Sequence, residues 1–473
     1  MKPKRRKFPG GYRFRNFAGE PEEKLIEIGI PDRVVIPLMQ GSGGEVQPVV
    51  RPGENVKAGQ IIGIDDDTVS NPVHSTVNGV VEGIAEIEYP ERKTQGVVIK
   101  SDGTSNWLTL KSQNTSWEEL PGEKIEEMLY LSGAASLDKE GIPTRHRSSP
   151  ILPDDVEHIV ICGVGSELYS PSLSVLLNEE NISSFVAGLR ILNKIIPNVK
   201  ISLALSRYER SLIKHISPMI TGFSWIDIFS LEPKYPQELD GIIIPTILDK
   251  PLPHDCSPSD IGVVVLSIQT VLHVYEAIVK GKPVIERIVA LGGTGFRENY
   301  HVRLRIGTPF EFLVRDRTNG AVRFMLNSPL TGATPSDLSL PVDRQSTSII
   351  AIPEATTREF LAFVRPGWRR DSYSRTFLSC LPVFGKDCDT NMHGEERPCI
   401  SCSFCDEVCP VGIVPHLIYK YVNRNIIDET LLNLKILNCI DCNLCSYVCP
   451  SKLPLARFIR TGKDKLAEEG LNR

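Results

Sequence analysis

Eight cysteines lie between Cys399 and Cys449, and their spacing repeats. The first run is Cys399-x2-Cys402-x2-Cys405-x3-Cys409-Pro410 and the second is Cys439-x2-Cys442-x2-Cys445-x3-Cys449-Pro450. Three thiolates at two-residue intervals wrap one face of a cubane iron–sulfur cluster, and the fourth, set past the loop, reaches the neighbouring cluster. The pattern predicts two [4Fe–4S] clusters, one on Cys399, Cys402, Cys405 and Cys449, the other on Cys439, Cys442, Cys445 and Cys409. The proline after each fourth cysteine ends the loop without needing an N–H. Val411, Ile413, Ile440, Leu444, Val448 and Leu453 are the expected apolar wrapping. Zinc takes paired Cys-x2-Cys units with four ligands per ion, and disulfides are disfavoured in a chain with no secretory signal; neither yields this run twice. Clusters so placed form a one-electron wire. Of the remaining cysteines, Cys162 follows an apolar run and reads as a small core residue. Cys256, Cys380 and Cys388 have no spacing that demands a metal.

The elements that hold these loops belong to a long chain. Its 473 residues suggest about three domains. With 41% hydrophobic and 23% charged residues it must fold rather than stay disordered, and a net charge of -5 argues against a nucleic-acid partner. The most apolar window, 261–272, is interrupted by Ser267, Gln269 and Thr270, and a membrane span needs about 20 apolar residues. The N-terminal basic run is followed by no apolar stretch, so it does not read as a secretory signal, and a cytoplasmic protein is expected. Residues 1–26 form a basic arm, with Lys2, Lys4, Arg5, Arg6, Lys7, Arg13 and Arg15 and no acid before residue 20. It reads either as a solvated tail or as an arm for anionic lipid or an acidic partner. Residues 27–115 read as short strands with an Asn78-Gly79 hairpin and resemble the barrel-sandwich fold of biotinyl and lipoyl domains. The carrier lysine is absent from the hairpin tip, which predicts a structural β module. In 123–295, strands at 157–161, 199–204, 241–245 and 261–266 alternate with helical spacing at 171–177 and 184–196, predicting an α/β unit. The turn at Gly292-Gly293-Thr294-Gly295 is expected to close it. A β-rich domain, 296–350, an irregular linker, 351–398, the dicluster domain, 399–460, with a helix over 415–436, and a tail, 461–473, complete the expected order.

Several stretches resemble the C component of the Rnf (Rsx) complex, an ion-translocating, ferredoxin-linked electron transport complex. They are Phe8-Pro9-Gly10-Gly11, Ile36-Pro37-Leu38-x-Gln40, Pro52-Gly53-x-x-Val56-Lys57-x-Gly59-Gln60, Gly262-Val263-Val264-Val265, the run from Tyr275 to Arg287, Ile306-Gly307-Thr308-Pro309 and both cysteine motifs. Others are similar to the A component of the sodium-translocating NADH:quinone reductase: Ile352-Pro353-Glu354, Phe360, Arg365-Pro366-Gly367, Ser374-Arg375-Thr376-Phe377-Leu378-Ser379 and 290–295. The resemblance implies a multidomain α/β protein. Its parts would be the barrel-sandwich module, a complex I flavoprotein-like α/β core, a β-grasp (soluble-ligand-binding) domain and a ferredoxin-like helical domain.

The resemblance also implies FMN and NADH, held in the family by a glycine-rich loop ending Gly-Phe-Pro-Thr. Gly133, Gly141 and Thr144 match that loop, but the dense glycine run is replaced, and Asp138 and Glu140 would repel phosphate. Gly163, Gly165 and Glu167 match a strand-end segment with a glutamate near the flavin; a plain strand-to-helix turn is the other reading. Ser267 and Gln269 stand where the family has Asn and Gly. The implied function is that of a peripheral electron-transfer component on the cytoplasmic side of the cell membrane, part of an oxidoreductase. It would pass electrons between NADH/FMN, or a partner such as ferredoxin, and membrane-embedded subunits. Two alternatives stay open: a soluble redox module like the cobalamin reductases, and a cluster-bearing scaffold without flavin. No catalytic residue is identifiable.

Overall fold

In the N-terminal third, β-branched residues alternate with polar ones and are punctuated by glycine and proline, which favours short strands. The computed structural model describes residues 3–471 except 42, 66–68, 91, 111–115, 147, 336, 356–368 and 375–384. Phe360, Arg365-Pro366-Gly367, 375–379 and Cys380 lie outside the described residues. The first strands are β1 (Lys4–Arg5), β2 (Leu25–Glu27), β3 (Arg33–Pro37), β4 (Gln47–Pro48), β5 (Asn55–Val56), β6 (Ile61–Ile64), β7 (Val73–His74), β8 (Gly79–Tyr89) and β9 (Arg92–Ser101). Two sheets, β3-β9-β8-β5 and β4-β6-β7, face each other across Val34, Ile36, Leu38, Val46, Ile62, Val97 and Ile99. The expected Asn78-Gly79 hairpin is not one, because β7 and β8 lie in different sheets. Asn78 is instead a buried pin: its Oδ1 accepts from the Ala58 N–H at 2.9 Å and its Nδ2 donates to Thr104 Oγ1 at 2.8 Å. A side-chain amide can make all these bonds at once, which suits it to the gap between two sheets.

The α/β unit runs α1 (Gly122–Ser132), β10 (His158–Gly163), α2 (Leu173–Leu176), α3 (Glu179–Ile195), β11 (Lys200–Ser206), α4 (Arg210–Ile220), β12 (Ile226–Leu231), α5 (Asp240–Leu248), β13 (Val263–Ser267) and α6 (Ile268–Val279). Its parallel sheet has the order β1-β12-β11-β10-β13, so the order reverses between β10 and β13. That reversal opens a crevice at the carboxyl ends of the strands. The expected strand at 241–245 is instead the start of α5. Its residues are apolar all round, so no periodicity marks them as helix, yet a chain leaving β12 can reach parallel β13 only through a crossover. Cys162 lies within β10, flanked by β11 and β13, as a core position.

The basic arm is not a solvated tail. β1 adds to the free edge of β12. Lys4 pairs with Asp227 at 2.7 Å, Arg6 with Asp249 at 2.6 Å and Arg13 with Glu232 at 3.9 Å. Phe8 and Phe17 are buried. Burial of these rings and completion of the edge ladder offset the entropy of ordering the arm.

A second sheet, mixed in direction, contains β14 (Glu286–Gly292), β15 (Tyr300–Arg305), β16 (Val322–Leu326) and β17 (Ser348–Pro353), with α7 (Phe310–Val314) after β15. Its order is β16-β17-β14-β15-β2. The boundary expected at 295/296 therefore cuts through a sheet, and the 292–295 glycine turn joins two strands of it rather than two domains. Gly293 adopts φ +99° there, and its N–H donates to the Gly19 carbonyl at 2.9 Å.

The cysteine region folds as α8 (Phe404–Val408), α9 (Pro415–Val422), α10 (Glu429–Asn433), α11 (Leu444–Tyr447) and α12 (Leu455–Glu468). The helix expected over 415–436 breaks after α9 and restarts where the Asp428 side chain caps α10 by accepting from the Thr430 N–H. No described helix is long and apolar enough to cross a membrane.

A glycine lets two helices of the α/β unit meet closely. A Cβ at Gly188 of α3 would run into the Val271 carbonyl of α6. Gly188→Ala is expected to lower stability by about 1–3 kcal/mol, read as a lower denaturant midpoint at unchanged slope.

Candidate functional site

Each cysteine loop owes its shape to backbone in the left-handed region. Ser401 and Ser403 have φ 53° and 60°, and Asp441 and Asn443 have φ 54° and 64°. Such residues between cysteines turn the chain back on itself, and short polar side chains tolerate the conformation. The third cysteine of each loop, Cys405 or Cys445, enters the first turn of α8 or α11. Gly412 (φ 67°) and Lys452 (φ 57°) repeat the device after each fourth cysteine.

The loops are arranged crosswise. Cys409 lies close enough to Cys439, Cys442 and Cys445 to act on all three thiols. At the other end, the Arg397 N–H donates to the Ser451 carbonyl at 2.9 Å. The Arg397 guanidinium donates to the Pro450 carbonyl at 2.8 Å, and the Ser451 hydroxyl to the Pro398 carbonyl at 3.0 Å. These bonds bring the flanks of Cys399 and Cys449 together.

Backbone amides point at the sulfurs. The N–H groups of Val411, Gly412 and Ile413 donate to Cys409, and the Ser401 N–H approaches Cys399 Sγ at 3.4 Å. Such donors favour thiolate over thiol. Burial acts the other way and pushes the Cys439 thiol up to about 11 and Cys442 up to about 12. Buried sulfurs met by amide donors suit a cationic iron centre that holds them as thiolates. His416 and Asp406 also stand near Cys405, with His416 Nδ1 3.0 Å from Asp406 Oδ1. Because Cys405 belongs to the first motif, this trio is part of the same site.

The surroundings of the two loops differ. The Tyr235 hydroxyl donates to the Cys442 carbonyl at 2.8 Å, Ile440 Cγ2 stands 3.2 Å from where a Cβ of Gly241 would lie, and Lys463 Nζ donates to Asp441 Oδ2 at 3.0 Å. Tyr12 and Tyr447 both donate to Asp371 Oδ2, the latter at 2.7 Å. Tyr12, Phe14 and Tyr447 pack edge to face. By contrast, Ile400 in the first loop is 67% exposed. Tyr12, Tyr235, Asp371 and Tyr447 are far apart in sequence and follow no motif, so spacing offered no signal for them.

A cleft of about 470 Å³ opens at the carboxyl ends of β10, β11 and β12. It is lined by Gly165, Glu167, Tyr169, Ser206 and the arm residues Arg13 and Phe14. Gly165 (φ 64°) faces open space, whereas a Cβ at Gly163 would stand 3.0 Å from the Ile268 side chain. Glu167 accepts from the Ser328 hydroxyl at 2.8 Å. Burial pushes its carboxyl up to about 8. Glu20, Glu22, Glu23 and Glu209 join it on the wall, against Arg13.

The other matched residues are elsewhere. Gly133 caps α1 in the left-handed region (φ 73°) under the Arg344 guanidinium. Gly141 (φ 71°) shapes a turn, and buried Thr144 bonds Ser148 at 2.8 Å. Between them, Ala134, Ala135, Leu137 and Ile142 are core residues. At the sheet's switch point the Ser267 N–H donates to Asp138 Oδ2 at 2.8 Å. The N-terminus of α6, where an anion would sit, thus holds the chain's own carboxylate, with Glu140 buried nearby. This arrangement does not fit the phosphate of FMN.

The raised Glu167 carboxyl has a pH signature. The native state keeps a proton that the unfolded chain releases, so stability falls as pH rises from about 4.5 to about 8. In Glu167→Gln that decline is expected to flatten, measured as melting temperature at pH 5, 6.5 and 8.

Residues 6–104 match the family model described as the RnfC barrel sandwich hybrid domain, a span that takes in most of the arm. Residues 398–453, which contain all eight motif cysteines, match a 4Fe-4S dicluster domain. The C component of the proton-translocating ferredoxin:NAD+ oxidoreductase complex of Clostridium ljungdahlii is 26% identical over 92% of this chain and 89% of its own length. The C component of the Na+-translocating ferredoxin:NAD+ oxidoreductase complex of Acetobacterium woodii is 26% identical over 84% of this chain and 83% of its own. The C component of an ion-translocating oxidoreductase complex of Pseudomonas aeruginosa is 27% identical over 93% of this chain, which spans 53% of that relative. Among solved structures, an NAD+-reducing [NiFe]-hydrogenase is 13% identical at a TM-score of 0.41, covering 78% of this chain and 68% of its own, too distant to carry an argument. With the barrel-sandwich domain at one end, the dicluster domain at the other and relatives aligned along nearly its whole length, the chain is similar throughout to the C components of Rnf-type complexes.

Proposed function

We propose that the chain is the electron-transferring C component of an Rnf-type ion-translocating oxidoreductase complex, carrying electrons between a redox partner and membrane-embedded subunits. The observation that carries this reading is the crosswise convergence of the eight motif cysteines. Cys399, Cys402, Cys405 and Cys449 would hold one [4Fe–4S] cluster, and Cys439, Cys442, Cys445 and Cys409 the other. Bound clusters supply reversible one-electron storage. The chain's own residues provide thiolates, N–H groups aimed at the sulfurs and an apolar wall of Val408, Ile413, Ile418, Leu444 and Leu453 that excludes water. Contact with a membrane would run through other subunits, and a peripheral position on the cytoplasmic side of the cell membrane is part of the reading.

The same reading takes the parallel-sheet unit as complex I flavoprotein-like and the mixed sheet as a β-grasp domain. FMN and NADH belong to it only as ligands of the strand-end cleft, beside Gly163, Gly165 and Glu167. Asp138 at the α6 N-terminus favours a second form, a component of the same complex that relays electrons through its clusters without flavin.

Anaerobic purification should yield about eight irons per chain and a spectrum of two interacting clusters. Cys449→Ser should remove the first cluster and leave about four irons. Absence of iron after anaerobic reconstitution would overturn the reading. A flavin assay on the same sample should find no FMN in the flavin-free form.

A further inference from the structure

One turn joins the strand-end cleft to the second cysteine loop. Ser328-Pro329-Leu330-Thr331 lies just past β16, with Ser328 buried. The Ser328 hydroxyl oxygen accepts the Leu330 and Thr331 N–H groups, both at 3.1 Å. Both of its lone pairs are then taken, so its own hydrogen goes to Glu167, 2.8 Å away. The Leu330 carbonyl accepts from the side-chain amide of Asn443, the residue after Cys442, at 2.8 Å. A second bridge runs beside the first. The Tyr235 hydroxyl donates to the Cys442 carbonyl at 2.8 Å, the Thr331 side chain bonds that hydroxyl, and Glu167 lies close enough to act on it. Glu167 thus lines the cleft and is tied to the second cysteine loop.

Two buried carboxyls meet there, and their bonds set them apart. Burial raises both. Glu238 accepts the Gly165 and Ser166 N–H groups, the latter at 2.7 Å, and amide donors favour a carboxylate. Glu167 receives one hydroxyl, feels the charge of Glu238 and is pushed up to about 8. Like charges withdrawn from water do not both ionise readily, so Glu238 holds the charge and Glu167 the proton. The other groups nearby do not offset this. Arg13 is turned to Glu232 at 3.9 Å and to the Tyr208 ring. Glu20, Glu22, Glu23 and Glu209 add to the negative field of the cleft. Asp240 at the start of α5 faces Lys139, and Asp441 of the second loop is paired with Lys463. The 328–331 turn, Tyr235 and Asn443 bring no charge.

Resting on the cluster reading above, we infer that Glu167 is a redox-linked proton site, which takes up a proton from the cleft when the second cluster gains an electron and releases it when the electron leaves. The electron comes from a one-electron donor. One O–H bond forms at the Glu167 carboxylate, and one breaks in the hydronium or buffer acid that supplies the proton. Added negative charge on the cluster disfavours a neighbouring carboxylate. By linkage, the proton favours the electron by the same free energy.

The test uses the full chain with its clusters. Midpoint potentials are read by EPR during titration with titanium(III) citrate, between about pH 7 and about pH 10. One midpoint should hold steady up to about pH 8, where Glu167 is protonated in both redox states. It should fall as pH rises further, where Glu167 is ionised until the electron arrives. In Glu167→Gln that slope should vanish. Ser328→Ala removes the hydroxyl that favours the carboxylate, so the onset of the slope should move to higher pH. Glu209→Gln, a change to another cleft carboxyl, should keep the parent slope. In infrared difference spectra above about pH 8, a protonated-carboxyl band should appear on reduction of the parent and be missing from Glu167→Gln, with iron content unchanged. Parent midpoints that do not move with pH, or a slope that survives in Glu167→Gln, would overturn the inference and leave the cluster reading standing. A parent chain without iron would overturn both.

Discussion

The segment from Lys4 to Glu27 ties the parallel sheet, the cysteine loops and the mixed sheet together. It begins as an edge strand of the parallel sheet. The Gly11 N–H then bonds the Val408 carbonyl in the dicluster region at 2.8 Å, and Tyr12 and Phe14 enter the aromatic wall against Tyr235 and Tyr447. The Tyr169 hydroxyl donates to the Ala18 carbonyl at 2.8 Å, and the segment ends as a strand of the mixed sheet. A rigid relation between cluster loops and strand-end cleft follows, because one short stretch of backbone is bonded to both. Gly10 shows how close the approach is: a Cβ there would stand 2.5 Å from the Cys409 carbonyl oxygen.

From that tie the asymmetry of the two cluster loops follows. A twofold repeat in sequence has two equivalent environments available, but only one loop can face the α/β unit. The one that does acquires Tyr235 and Gly241, while Ile400 of the other is left exposed. Exposure and hydrogen bonding to sulfur are main determinants of cluster potential, so equal motifs in unequal surroundings give a wire with two distinguishable ends.

The strand-end cleft shows how one backbone feature can serve two different anions. A parallel sheet with a switch point presents a helix N-terminus to whatever anion is nearby. Here Asp138 answers that field from within the chain, and the charged residues lining the strand-end cleft are five glutamates, Glu20, Glu22, Glu23, Glu167 and Glu209, against Arg13. The feature that would receive a phosphate stabilises a turn instead, and the raised Glu167 carboxyl reflects how far that wall is withdrawn from water.

Some of this was legible in the residues alone. Covalent ligation needs sulfur at fixed intervals, so the repeated cysteine run carries its chemistry in one dimension, and strands such as β10 and β13 announced themselves by apolar, largely β-branched runs. Other features were decided only when distant segments met. The stretch at 241–245 carries no periodicity and became helix because the chain had to cross the sheet. The basic arm reads as a tail until its partners Asp227, Asp249 and Glu232 are placed beside it, and Asn78 reads as a turn until two sheets close on it. Local sequence sets what a residue can bond; which partner it meets, and how much water is left around it, depends on contacts between segments hundreds of residues apart, as when Tyr235 reaches the carbonyl of Cys442.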